Sequence, residues 1–422
     1  MILSRFHPTF RLVMLMGGLG LAASAANAPM DPKVPPVPPP STTVPPPATV
    51  PPVTPASQAA REALGRNLFR DPSLSVPVGT SCASCHTPLK GFEGNNGGTF
   101  GVPLGSTKTP GLRNTPSAMY ALFTPPFAVS PGPNGQPVAR GGQFHDGRAD
   151  SLAQQALGPF LASAEMNNPN GAAVVAKVAK SSYAAAFKAQ WGADIFTKPD
   201  AAFAAIGESI AAYERTIEFR PFTSRFDDLV RGKDTFTAAE KRGMSAFFDR
   251  TKGDCASCHA ASPTNASPTA NLFTNHSYVA LGIPRNTKIP ANANPLFFDL
   301  GLAGPNRTAP AGVANAAGQF KVPTLRNVAL KTAFMHNGRF TSLIEVVGFY
   351  ATRDLEPKRW YPDGIQFNDL PASLRGNVTH RPPLDLRPGA KPRLTSSDVL
   401  DIVAFLGTLT DVPPPATFAT AQ

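Results

Sequence analysis

Cys82-Ala83-Ser84-Cys85-His86 and Cys255-Ala256-Ser257-Cys258-His259 together use all four cysteines of this 422-residue chain. C-x-x-C-H is the attachment signature of a c-type haem. The two thiols add across the vinyl groups of one porphyrin, and the adjacent histidine lies under the iron as its proximal ligand. No cysteine is left for a separate disulfide, a thiol nucleophile or a zinc site. The bland alternative is a pair of reduced or disulfide-linked turns, each followed by an incidental histidine; the repetition argues against it. The pattern predicts two covalent haem c groups, held by Cys82, Cys85, Cys255 and Cys258 and ligated by His86 and His259, and therefore redox chemistry.

Working outward, the chain repeats an order of events. A helix precedes each motif, over Ser57 to Phe69 and over Thr237 to Phe248, the second with a capping box of Thr237 and Glu240. After each motif comes an Arg-Asn pair, Arg113-Asn114 and Arg326-Asn327, and then a signature. The signatures are His145-Asp146-Gly147-Arg148-x-x-Ser151-Leu152 and His336-Asn337-Gly338-Arg339-x-x-Ser342-Leu343. Phe203, Ile206, Ile210, Tyr213 and Ile217 mark one face of a long helix closing the first half; Val399, Ile402, Val403 and Leu406 do so near the C-terminus, behind Thr395-x-x-Asp398. No good alternating strand pattern occurs, and residues 87–143 and 260–320 read as loops rich in Gly, Pro and Asn. The expected fold is mainly α: two c-type cytochrome-like haem domains related by internal duplication, with long loops. The boundaries are 58–235 for the first domain and 236–422 for the second.

Ahead of them, Arg5 and Arg11 precede an apolar run from Leu12 to Ala23 and then small residues, the layout of a secretory signal peptide over residues 1–28. Cleavage after Ala25 is the alternative, because Pro29 would follow the other site. The run is short and broken by Gly17, Gly18 and Gly20, so no permanent membrane span is expected, and a retained anchor is the lesser option. Residues 29–57 are a proline-rich tether. Export places the protein in the periplasm. The formal net charge of +11 falls by two with the signal and suits docking on an acidic redox protein. The basic residues are scattered and form no nucleic-acid-binding stripe.

Beyond the motifs, the segments ALGRNLFRDPSLS, RNTPS, FHDGRADSLAQQALGPF and VPTLRNVALKTAFMHNGRFTSLIEVVGFY resemble the bacterial di-haem cytochrome c peroxidases, above all their MauG-like branch, over roughly residues 57–412. The resemblance implies that Gln155, Pro159 and Glu165 line the open face of the first haem. A carboxylate there takes a proton from bound hydrogen peroxide and returns it to the departing oxygen. On residues alone, Gln155 would face solvent, Pro159 would end a helix and Glu165 would sit on the surface. The family's peroxidases carry a blocking histidine about 16 residues after the first motif; none lies here between His86 and His145, so the first haem should be open from the start. The resemblance puts the second haem's distal ligand at Tyr350, with Met335 as the competitor. An anionic phenolate favours high oxidation states, whereas methionine raises the potential. It also implies Ca²⁺ between the haems, on the Asn114 side chain and the backbone carbonyls of Lys331 and Ala333. His145 and His336 fall at inter-haem positions. His145 stands where the family commonly has a tryptophan, and hydrogen bonding is favoured for it over ligation. Gly253 stands where MauG has its substrate-oxidising surface tryptophan. Trp191 and Trp360 read as packing residues.

The expected function is reaction with hydrogen peroxide at the first haem, giving a high-valent two-haem state that oxidises a partner or protein substrate. Peroxide detoxification with electrons from a small redox protein is the alternative within the class. A non-catalytic electron-transfer cytochrome, with His145 or Met166 closing the first iron, and an oxygenase acting on O₂ are the rivals outside it.

Overall fold

The computed structural model describes residues 54–95, 98–132 and 134–412. The export segment and nearly all of the tether lie outside the described residues. The helices are α1 Pro55–Arg70, α2 Cys82–Cys85, α3 Leu152–Leu161, α4 Gly171–Val178, α5 Ala184–Trp191, α6 Pro199–Glu214, α7 Arg225–Val230, α8 Ala238–Phe248, α9 Leu343–Thr352, α10 Pro357–Trp360 and α11 Ser396–Gly407. The expected helices over 57–69 and 237–248 are α1 and α8. Thr237 caps α8, and Glu240 closes the box onto its backbone.

Each half is built on one close helix crossing. A Cβ on Gly65 of α1 would lie 1.9 Å from Ser209 O of α6, and a Cβ on Gly243 of α8 would lie 1.8 Å from Asp401 O of α11. Only glycine lets the backbones meet at these two points. Around the first crossing packs a core containing Leu68, Phe69, Phe160, Phe187, Ile206 and Tyr213; around the second, one containing Phe247, Phe273, Phe349, Ile402 and Phe405. Each such side chain contributes about 1.5–3 kcal/mol when fully buried.

The duplication reaches the turns. Gly147 and Gly338 both take the left-handed conformation, at φ 70° and 64°. Asp146 Oδ1 accepts from Arg148 N, and Asn337 Oδ1 accepts from Arg339 N. Ser151 caps α3 and Ser342 caps α9. The signatures are therefore helix-entry turns that aim α3 and α9 at the two motifs.

Two expectations differ from the structure. Ile217 does not extend α6: the helix ends at Glu214 and Ile217 is 61% exposed. Glu218 is drawn inward by Arg66 (2.7 Å) and the Tyr213 hydroxyl (2.7 Å), which turns the chain and leaves Ile217 outside. Strands do occur, as two antiparallel ribbons: β1 Ala128–Pro131 with β2 Pro137–Arg140, and β3 Tyr278–Val279 with β4 Phe320–Lys321. At two to four residues each they are too short to show a period. No helix among the described residues is long and apolar enough to cross a membrane.

Candidate haem centres

A cavity of about 930 Å³ runs between the two motifs; its wall includes His86, His145, His259, His336, Gln155 and Tyr350. That volume is at the upper end for small-molecule sites. None of the four cysteines is in a disulfide. Burial pushes the Cys85 and Cys255 thiols up to about 12.

Both proximal histidines are oriented through the nitrogen that would not meet iron. His86 Nδ1 bonds to Phe92 O at 2.8 Å, and His259 Nδ1 to Phe273 O at 3.1 Å and Pro323 O at 3.2 Å. A backbone acceptor on Nδ1 fixes the tautomer that leaves Nε2 free as a ligand. Thiol pairs, oriented imidazoles and cavity volume all fit two haems.

On the first side, Gln155 and Pro159 are one helical turn apart on α3 and share a face. Gln155 lines the cavity, whereas Pro159 and Glu165 are not part of its wall. The chain folds back after α3, with Met166 N bonded to Pro159 O, and this brings Glu165 to the first motif. Its charge is felt by both Cys82 and Cys85, whose thiols are raised first by burial. Burial also raises the Glu165 carboxyl, with Arg148 pulling the other way.

On the second side, Tyr350 lies on α9 and lines the cavity. Burial raises its phenol, and the charges of Cys258 and Cys255, which line the same cavity, add to the effect. Met335 also lines the cavity, in a left-handed turn at φ 68°.

Between the motifs, His145 Nε2 bonds to Asn114 O at 2.8 Å. Burial, reinforced by Arg113, holds this imidazole down at about 3 and therefore neutral. His336 stacks on Phe320 with centroids 3.6 Å apart and reaches Asp369 at 3.2 Å. Arg113 joins the halves by pairing with Asp299 (2.6 Å) and Asp146 (2.7 Å). Trp191 and Trp360 are buried, their indole N–H groups bonded to Ser209 and Thr352.

The expected calcium positions Asn114 and Ala333 lie side by side between the halves. The Asn114 side chain donates Nδ2 to Ala333 O (2.8 Å) and Met335 O (3.3 Å). The Lys331 ammonium is paired with Glu93 and reaches Thr115 O at 3.2 Å. Calcium is held by converging oxygens; the Asn114 amide, which carries one, lies within hydrogen-bond distance of the Ala333 and Met335 carbonyls.

Three functional candidates escaped the sequence. Glu93, Lys331 through its side chain, and Glu214 all line the cavity. Burial holds Glu93 up at about 7 and Glu214 at about 8. Glu214 lies on the expected helix, one residue past Tyr213, so its position was legible though its burial was not.

Fold and site define a di-haem c-type oxidoreductase. Residues 59–235 match the family described as di-haem cytochrome c peroxidase. The chain is 36% identical over 362 residues to the methylamine utilization protein MauG of Paracoccus denitrificans, covering 83% of this chain and 89% of that protein. It is 28% identical over 318 residues to cytochrome c551 peroxidase of Pseudomonas aeruginosa, covering 74% and 77%. The crystal structure of the diheme peroxidase BthA from Burkholderia thailandensis superimposes with a TM-score of 0.79 at 40% identity, over 84% of this chain and 88% of that one. The chain belongs to the di-haem cytochrome c peroxidase family and is a MauG-like oxidoreductase.

Proposed function

We propose that this oxidoreductase reacts with hydrogen peroxide at the half that carries His86 and holds a second oxidising equivalent at the half that carries His259 and Tyr350, each half closing around one haem. When bound, the haems supply one-electron redox chemistry and one open iron face. Glu165 accepts a proton from peroxide and returns it to the leaving oxygen, a role suited to a carboxyl raised by burial. Gln155 orients peroxide with its amide, and Pro159 crowds the face without offering a ligand. Tyr350, rather than Met335, would hold the second iron; it lines the cavity together with Cys255 and Cys258. Neutral His145 links the two sites by hydrogen bonding, and His336 lines the same cavity.

The observation that carries this reading is the contrast between the halves: a carboxyl whose charge is felt by the first thiol pair, and a phenol that lines the cavity together with the second. The oxidised partner is a protein substrate or a small redox donor protein, met in the periplasm after export. The Asn114 side chain and the backbone carbonyls of Lys331 and Ala333 would hold Ca²⁺ between the halves.

The test is titration of the ferric di-haem protein with hydrogen peroxide, followed by visible and near-infrared absorption and EPR. A high-spin ferric signal that vanishes with about one equivalent, without prior reduction, is expected. A purely low-spin protein that ignores peroxide would leave an electron carrier. Reactivity only after half-reduction would mean a conventional peroxidase with Met335 on the second iron.

A further inference from the structure

One tyrosine departs from the duplicated plan at a place the proposed chemistry does not use. Four residues after the carbonyl that meets the crossing glycine, the first half has Tyr213 and the second has Phe405. Both rings do the same packing work: Tyr213 meets Phe69 of α1 at 5.5 Å between centroids, and Phe405 meets Phe247 of α8 at 5.3 Å. A phenylalanine therefore suffices at this position, and the Tyr213 hydroxyl is an addition. It is buried and donates to Glu218 Oε1 at 2.7 Å. Glu218 is paired in turn with Arg66 at 2.7 Å and Arg70 at 3.5 Å. On its other side Phe69 meets the His86 ring at 6.2 Å. One ring thus stands between a proximal histidine and a buried phenol that has a carboxylate on its oxygen.

We propose that Tyr213 is a redox-active tyrosine, which gives an electron through Phe69 to the peroxide-oxidised first haem site and its phenolic proton to Glu218.

The inference rests on the peroxide reading above. Removing an electron alone would leave a buried cation, which is costly. Moving the proton along the 2.7 Å hydrogen bond to Glu218 Oε1 leaves a neutral phenoxyl radical and a neutral carboxylic acid instead. Tyr213 is oxidised by one electron, the first site is reduced by one, and the proton stays within the pair until a donor returns the electron. The arginines released by Glu218 are 41% and 30% exposed, so water can solvate their charge. Burial raises the phenol, and Glu218 adds to the effect, so the hydroxyl keeps its proton at rest. Two other phenols also donate to carboxylates, Tyr120 to Asp411 and Tyr183 to Asp71, both at 2.6 Å. The Tyr120 ring packs on Phe123 and Phe222 rather than on Phe69. These two tyrosines serve as controls.

The ferric di-haem protein is mixed with about one equivalent of hydrogen peroxide and freeze-quenched for EPR, while stopped-flow absorption follows the haems. The wild type is expected to show an organic radical signal that narrows when the protein carries ring-deuterated tyrosine. Tyr213→Phe, which installs the residue of the second half, is expected to lose this signal, and its oxidised haem spectrum to outlast that of the wild type several-fold. Glu218→Gln keeps the ring, removes the proton acceptor and is expected to lose the signal too. Tyr120→Phe and Tyr183→Phe are expected to keep it. A radical that persists in folded Tyr213→Phe, or one absent from the wild type although the haem spectrum responds, overturns the proposal and leaves the peroxide reading standing. A haem spectrum that ignores peroxide overturns both. Should Tyr213→Phe fail to fold, loss or persistence of the signal in Glu218→Gln decides.

Discussion

The two halves share a plan and differ at a few matching positions. Fourteen residues after the signature histidine the first half has Pro159 and the second has Tyr350. Five residues after the carbonyl that meets the crossing glycine, the first half has Glu214 and the second has Leu406, both buried and both lining the cavity. The first half also folds Glu165 over its motif. One half thus has carboxyls and a side chain that cannot ligate; the other has a phenol and an aliphatic wall. A duplicated scaffold has been divided into a proton-handling side and a ligand-closed side by changing a few residues and keeping the crossings, caps and turns.

Removing the carboxyl that faces the first thiol pair should have the largest effect. Glu165→Gln keeps the shape and removes the exchangeable proton site, so the second-order rate with peroxide is expected to fall by about 10²–10⁴-fold. Stopped-flow absorption measures it. An unchanged rate would assign the proton transfer elsewhere, with Glu214 the first candidate.

Exchanging the residues at the shared position tests the division directly. Tyr350→Met should raise the second haem's potential by on the order of 0.1 V, within the ~0.8 V range that axial ligands span, as read by spectroelectrochemistry. Pro159→Tyr should add a phenol to the open face and convert the high-spin EPR signal to a ligated one. If Tyr350→Met leaves the potential where it was, Tyr350 is a packing residue of α9 and the contrast between the halves fails.

The crossings test what the halves share. Gly65→Ala and Gly243→Ala each push a methyl into a facing carbonyl, at 1.9 and 1.8 Å before relaxation. Overpacking of this kind costs about 1–3 kcal/mol, and denaturant unfolding should show similar losses for both. A neutral effect at one glycine would mean that its crossing is looser than the other.

Much of this was legible in the sequence because it is carried by residue types that local physics fixes. The capping boxes at Thr237 with Glu240 and at Thr395 with Asp398 fall where the pattern put them, and Ser151 and Ser342, picked out only as signature positions, turn out to be helix caps. Ile217 misled because its period ran on past a turn made by Glu218, a contact with α1 that sequence spacing does not show. The cavity chemistry was harder. Glu93, Glu214 and the Lys331 side chain look like ordinary surface charges, and only burial between distant segments gives them a role.

Glu214 against Leu406 gives the smallest effect and the cleanest sign. Burial holds the Glu214 carboxyl protonated up to about 8, against an ordinary value of 4.5, and one of its oxygens has no partner. Between those values the folded chain keeps a proton that the unfolded chain has released. Stability therefore declines as pH rises through this window, and the cost of the buried charge is complete only above the upper value. Glu214→Gln removes the titration while keeping the shape. Its stability relative to wild type should be nearly level below about pH 4.5 and should rise across the window, reaching a gain on the order of 1 kcal/mol or more above pH 8. Leu406→Val, at the matching position of the second half, should lower stability by the same amount at every pH, because no proton is involved. Thermal unfolding of the three proteins from pH 4 to pH 9 separates the cases. If wild type and Glu214→Gln run parallel, Glu214 titrates alike in the folded and unfolded chains, and the first half does not hold a proton where the second half holds a leucine.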